Sequence, residues 1–336
     1  MKLFEETQIK NTTLKNRFVM APMCMYSVYK KDGVATPFHL AHYMARAIGQ
    51  VGLIIIEATG IVPEGRISDE CLGLWNDTQK EAFKPIVKGV QNEGSKIAIQ
   101  LNHAGRKCTT DDEVIVAPSS IAYSDRYRIP KELSQQDIKQ VIMDFTLAAK
   151  RADEAGFDMI ELHMAHGYLL SSFMSPITNK RIDKYRDASV LYKELMDSIK
   201  TVWPKEKPIL VRVSATDYEK DGYNVEHVAK VLEPIIDDID VIHVSSGGIT
   251  PIRPKSYPSY QVAFATKLKK LTQKPVIAVG LIDTIEQSMD IIENDRADFI
   301  GLGRILLRQP HFVLDALNKY DFKDKLPHQY VRGYKV

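Results

Sequence analysis

Eight short apolar runs, rich in Val, Ile and Leu, recur along this chain and limit what it can fold into. They are RFVMAPM (17–23), GLIIIEA (52–58), KIAIQLN (96–102), FDMIELH (157–163), PILVRVS (208–214), DVIHVSS (240–246), PVIAVG (275–280) and ADFIGLG (297–303). They read as continuous runs instead of alternating ones, as parallel strands buried on both faces do. Parallel neighbours need crossovers, and amphipathic stretches at 38–49, 77–94, 134–156 and 188–202 supply them as helices. Among the later runs, each but the last is followed by a further helical segment. Eight such units predict a (β/α)8 barrel of the TIM type in the α/β class. The runner-up is an open doubly wound sheet, disfavoured because no GxGxxG turn follows the first strand. We expect one domain over residues 1–336, with 103–133 inserted after strand three as a lid and 320–336 as a C-terminal tail. Ser134, with Asp137 three residues on, is expected to cap the helix after the insertion.

The chain carries 45 Lys and Arg against 43 Asp and Glu, a formal net charge of +2. That balance gives no reason to propose nucleic acid or an acidic membrane as partner. Three cysteines, Cys24, Cys71 and Cys108, are odd in number and form no zinc-type spacing, which reads as a reduced cytoplasmic protein. The first residues lack the apolar segment of a signal peptide. The apolar stretch VGLIIIEATGIV is too short to span a bilayer and contains Glu57.

Active sites of such barrels gather at the C-terminal ends of the strands. His163 ends the fourth run, with His166 and Tyr168 in the loop beyond it. Cys24 and Tyr26 follow the first run, Ala58 ends the second, and Gln100 and Arg212 lie within the third and fifth. The histidines can be metal ligands, as in a zinc hydrolase, but Arg212 would repel a cation. Two imidazoles beside a phenol better suit an anion or a carbonyl oxygen; a pair of structural histidines is the plainer alternative. A phenol stays protonated at neutral pH, so Tyr168 is a candidate general acid or a packing residue. Cys24, taken alone, reads as a small buried residue. Glycine turns at SSGGI (245–249), VGLI (279–282) and GLGRI (301–305) end the last three runs. With Arg304 they suggest a phosphate site, although barrels need glycine at tight turns anyway.

The segments RFVMAPMCMYS, IQLNHAGRK, HMAHGYLLSSFMSPITNKRIDKY, VRVSATD, HVSSGG and GLGRILLRQP, in this order, resemble the old yellow enzyme family of FMN-dependent ene-reductases. The resemblance runs from the first strand to the C-terminus. The Cys after APM, the histidine pair and the QYVRGYKV terminus resemble its bacterial thermophilic-like subclass. The resemblance implies non-covalent FMN and NADPH as reductant. It implies that Ala21, Pro22, Met23 and Cys24 lie along the flavin, with Cys24 tuning its potential. Ala58 and Gln100 would contact the pyrimidine side, Arg212 would sit near N1, and Gly247, Gly280, Gly303 and Arg304 would hold the phosphate. His163 and His166 would grip the activating oxygen of an electrophilic alkene, Tyr26 would touch it, and Tyr168 would deliver the proton. Arg332 would reach a neighbouring subunit's site in a homodimer or homotetramer. Other FMN barrels, such as dihydroorotate dehydrogenases, and a non-catalytic flavin-binding protein stay open at this point. One departure stands out: relatives often carry Tyr-Gly-Gly-Ser where this chain reads YRDAS, Tyr185 to Ser189.

Overall fold

A computed structural model of the chain describes residues 1–111 and 114–334. Residues 112–113 of the expected lid and 335–336 of the expected tail lie outside the described residues. Eight parallel strands close into a barrel in sequence order. They are β1 (Phe18–Met20), β2 (Leu53–Gly60), β3 (Lys96–Asn102), β4 (Met159–Met164), β5 (Ile209–Ser214), β6 (Val241–Ser245), β7 (Val276–Ala278) and β8 (Phe299–Leu302). β8 closes on β1 through Ile300–Phe18, Gly301–Val19 and Leu302–Met20. Each strand falls within or against the apolar run that predicts it. The first shrinks to three residues because Ala21–Met23 leave the sheet to form the mouth.

Two cores result from the period of the strands. Residues facing in, among them Leu53, Ile55, Ala98, Met159, Leu210, Val241 and Phe299, form the barrel interior. Those facing out, such as Ile54, Ile56, Ile97, Ile99, Ile160 and Val211, pack under the helices. A hairpin of Thr7–Ile9 and Thr12–Leu14 puts Ile9 and Leu14 into the interior cluster and so plugs the end opposite the mouth. The helix Gln135–Ala155 starts as the sequence predicts. Ser134 Oγ accepts from the Asp137 amide at 3.1 Å, and the Asp137 carboxylate accepts from the Ser134 amide at 3.0 Å. The last strand is followed by helices after all, Arg304–Arg308 and Phe312–Lys319. Without its glycines, the Tyr185–Ser189 turn is built by two aspartate caps. Asp183 accepts from the Tyr185 amide and Asp187 from the Ser189 amide, and none of these residues has a positive φ. No helix among the described residues is long and apolar enough to cross a membrane.

Candidate active site

On β3 to β6 the interior changes character two residues above its apolar layer. Ala98, Met159, Leu210 and Val241 are succeeded on the same face by Gln100, Glu161, Arg212 and His243, since residues two apart share a face. Arg212 stands in register with His163 on one side and His243 on the other. Burial pulls its guanidinium below the usual value, and Glu161 opposes that shift. Arginine stays protonated even so. The barrel thus carries a buried positive charge just below its mouth, and Arg212 Nε has no hydrogen-bond partner among the described residues.

Above this layer His163, His166 and Tyr168 face one another edge to face. Ring centroids lie 5.1 Å apart for the histidines, 4.9 Å for His163 and Tyr168, and 6.4 Å for His166 and Tyr168. Desolvation first, and the Arg212 charge second, hold both imidazoles well below their ordinary pKa, so both are neutral. His163 Nδ1 accepts the Ala165 amide at 3.3 Å, which leaves the proton on Nε2, free to donate. His166 Nε2 lies 2.7 Å from Ser245 Oγ, so this second ring nitrogen is engaged within the protein. Burial pushes the Tyr168 phenol well above its usual value, which keeps it protonated. Among the described residues, no three His, Cys, Asp or Glu gather as metal ligands would.

A cavity of about 230 Å³ opens beside this group, lined by Ala21, Pro22, Met23, Arg212, Gly280, Gly303 and Arg304 among others. Seven of the sequence-predicted residues therefore converge on one wall. A larger cavity of about 860 Å³ shares Ser245 and Tyr260 with it and extends past His166 to Tyr123–Tyr127 of the 103–133 insertion. Gly247 lines neither cavity; its carbonyl accepts from Ser214 Oγ at 2.8 Å. Ala58 is buried at an irregularity in the β2–β3 pairing between Ile56 and Thr59. There Glu57 turns to the Tyr43 hydroxyl of the helix Pro37–Ile48 at 3.2 Å. Such bulges re-aim side chains at barrel rims. Tyr26 is half exposed with a φ of 51°. Arg332 is exposed on the turn Val331–Gly333, between Tyr330, whose ring lies against His311, and Tyr334, bonded to Asp315. It lines neither cavity of its own chain.

Two residues escape the sequence reading. Lys107 Nζ donates to the His166 carbonyl at 2.8 Å and the Gly248 carbonyl at 3.2 Å, and lies over the rings of Tyr123 and Tyr168. Burial lowers its pKa to about 8. It ends the IQLNHAGRK segment, five residues past β3, where the sequence assigns it no particular role. Cys71 interacts with Cys24, and the two thiols share their protons unequally. Contact with Cys71 and burial raise Cys24, while contact with Cys24 and with Ser68 lowers Cys71. Cys24 therefore stays an S–H donor and not a nucleophile. Their separation of 47 positions gives no hint of the contact.

The glycine-lined cavity, the buried cation and the His–His–Tyr group on a parallel barrel describe a flavin-type oxidoreductase site. Comparison with known proteins agrees: residues 2–320 match the NADH:flavin oxidoreductase / NADH oxidase family, and the chain belongs to it. An NADPH dehydrogenase of Clostridium acetobutylicum is 47% identical over 99% of this chain and 100% of that protein. One from Listeria monocytogenes is 49% identical over 99% of each. The solved structure of an old yellow enzyme homologue from Zymomonas mobilis superimposes with a TM-score of 0.79 at 26% identity, covering 97% of this chain and 94% of that one. FMN suits the residues present. Among the described residues Arg212 offers an unpaired buried N–H and Arg304 a cation with no carboxylate partner, and Gly280 and Gly303 form a wall without side chains.

Proposed function

We propose that this chain is an NADPH dehydrogenase of the old yellow enzyme type, of the thermophilic-like subclass, that reduces the activated C=C bond of α,β-unsaturated aldehydes, ketones and nitro compounds. The observation that carries the reading is the juxtaposition of two neutral imidazoles and a protonated phenol with the Arg212-lined cavity. The names of the relatives support NADPH as the reductant. When bound, FMN supplies the hydride. Ala21, Pro22, Met23, Cys24, Ala58 and Gln100 would lie along its ring system, Arg212 would offset negative charge on it, and Gly280, Gly303 and Arg304 would hold its phosphate. His163 Nε2–H donates to the substrate's oxygen, and His166 joins it by exchanging Ser245 for that oxygen. Polarised in this way, the β-carbon becomes electrophilic. Tyr168 then gives its proton to the α-carbon, and Tyr26 packs on the substrate. Arg332 is exposed and lines neither cavity of its own chain, which supports its completing the site of a second copy in a cytoplasmic homodimer or homotetramer. A yellow preparation that bleaches anaerobically with NADPH and recovers colour with an enone is the expected result. A yellow protein that NADPH does not bleach, or a colourless one, would end this reading.

Two predictions arise from this site. His163→Ala/His166→Ala is expected to keep FMN but to weaken enone and phenol-type ligands by about 1–3 kcal/mol. That is the sum of two neutral hydrogen bonds. Because burial keeps both rings neutral, wild-type affinity for an uncharged enone should stay level between pH 6 and 8. Ligand titration of the flavin spectrum measures both. Cys24→Ala is expected to lower the flavin potential by about 20 mV, the equivalent of one lost donor to the electron-rich reduced ring. Turnover should persist, and a variant that holds FMN yet is inactive would restore a covalent role for the thiol.

A further inference from the structure

Glu161 is fully buried in the barrel interior and has no role in the chemistry above. Both of its oxygens are occupied. Gln100 Nε2 donates to Oε1 at 2.7 Å, and His243 Nδ1 lies 2.7 Å from Oε2. Gln100 and Glu161 are register partners on adjacent strands, and all three side chains are at least 99% buried. An amide presents two nearly isosteric ends, and by itself nothing decides which end faces a ligand. A carboxylate decides it, because it only accepts. The Nε2–H₂ end must turn to Glu161, which leaves the Gln100 oxygen directed elsewhere as an acceptor. Burial lowers the His243 pKa, so that ring is neutral with its proton on Nδ1 toward Glu161. His243 Nε2 is left a bare acceptor, and it has no partner among the described residues.

We propose that Glu161 is a positioning residue that, through Gln100, makes the cofactor pocket select for a ring carrying an imide N–H. The proposal rests on the FMN reading above. The pyrimidine ring of oxidised FMN carries one N–H, at N3, and with FMN bound the fixed amide oxygen of Gln100 would be its acceptor. Replacing Glu161 by Gln removes the acceptor-only partner. Residue 161 can then donate to the Gln100 oxygen, and the amide loses its preferred orientation.

The test compares FMN with N3-methyl-FMN, titrated into wild-type protein from which the flavin has been stripped. Wild type is expected to favour FMN by roughly tenfold or more, the range for a buried acceptor left unpaired. In Glu161→Gln that ratio should fall by about tenfold. A purely structural role for Glu161 would weaken both flavins equally, so an unchanged ratio overturns the proposal whatever the absolute affinities. If Glu161→Gln does not yield folded protein, Gln100→Met carries the test, since it deletes the acceptor directly. An unchanged ratio there overturns the proposal as well. Failure of wild type to bind FMN at all would instead refute the functional reading, and the two failures are distinguishable.

Discussion

Tyr168→Phe is expected to slow the oxidative half-reaction with a simple enone by about 10²–10⁴-fold, the usual worth of a general acid. Reduction of the flavin by NADPH should proceed at nearly the wild-type rate. The phenol sits at the start of the short helix Leu169–Met174, with its ring 4.9 Å from His163. It packs against Ala104, Cys108 and Ile115 of the insertion. Its ring also stands edge to face with His166, and it does not line the cavity with Arg304. Since desolvation raises its pKa well above 10, the phenol stays loaded across the neutral range. The wild-type oxidative rate should therefore show no loss from phenol ionisation up to pH 9. Anaerobic stopped-flow of the two half-reactions separates the effects. An oxidative half-reaction equally fast in the variant would hand the proton to water or to another group.

Gly167→Ala is expected to destabilise the fold by roughly 2–5 kcal/mol. Its φ is +72°, and an added Cβ would sit 2.2 Å from the Gly248 carbonyl oxygen. The left-handed conformation costs an L-residue about 1–2 kcal/mol, and overpacking adds about 1–3 kcal/mol. Nothing flexible stands in the way to absorb the clash. The obstacle is backbone, and Gly248 in turn would place a Cβ 2.7 Å from the His166 Cα. Lys107 pins the same two loops by donating to one carbonyl on each. The urea midpoint should fall with an unchanged slope. A loss below about 1 kcal/mol would show that the loops after β4 and β6 separate easily.

The barrel is legible because its strands are buried on both faces, so hydrophobicity marks them without any need for phase. The plugging hairpin is not, because Thr7–Ile9 and Thr12–Leu14 are three residues each, too short for a period to show. In the site, Ala21, Met23, Arg212, Gly280, Gly303 and Arg304 were legible as strand ends, and they meet at one cavity. Gly247 was grouped with them by its glycine turn, yet its N–H, the group a phosphate would need, donates to the Thr216 carbonyl at 2.8 Å. The pairing of His166 with Ser245 spans 79 positions and depends on barrel closure. No local pattern encodes such a contact, and the same holds for Cys24 with Cys71 and for Glu161 with His243.

The interlocked loops give the mouth one wall that cannot be redesigned and one that can. His166 has a φ of 61°, a region where Asn and Gly are tolerated but β-branched residues are not. A mutational library that randomised Gly167, Gly247 and Gly248 would mostly return destabilised chains. The rest of the larger cavity carries the adaptable positions: Ser124 to Tyr127 of the insertion, and Ile252, Arg253, Pro254 and Ser256 beyond β6, where Ile252 is half exposed. New substrate preferences, whether reached by evolution or by selection in the laboratory, should accumulate on that side and leave the donors of the other untouched.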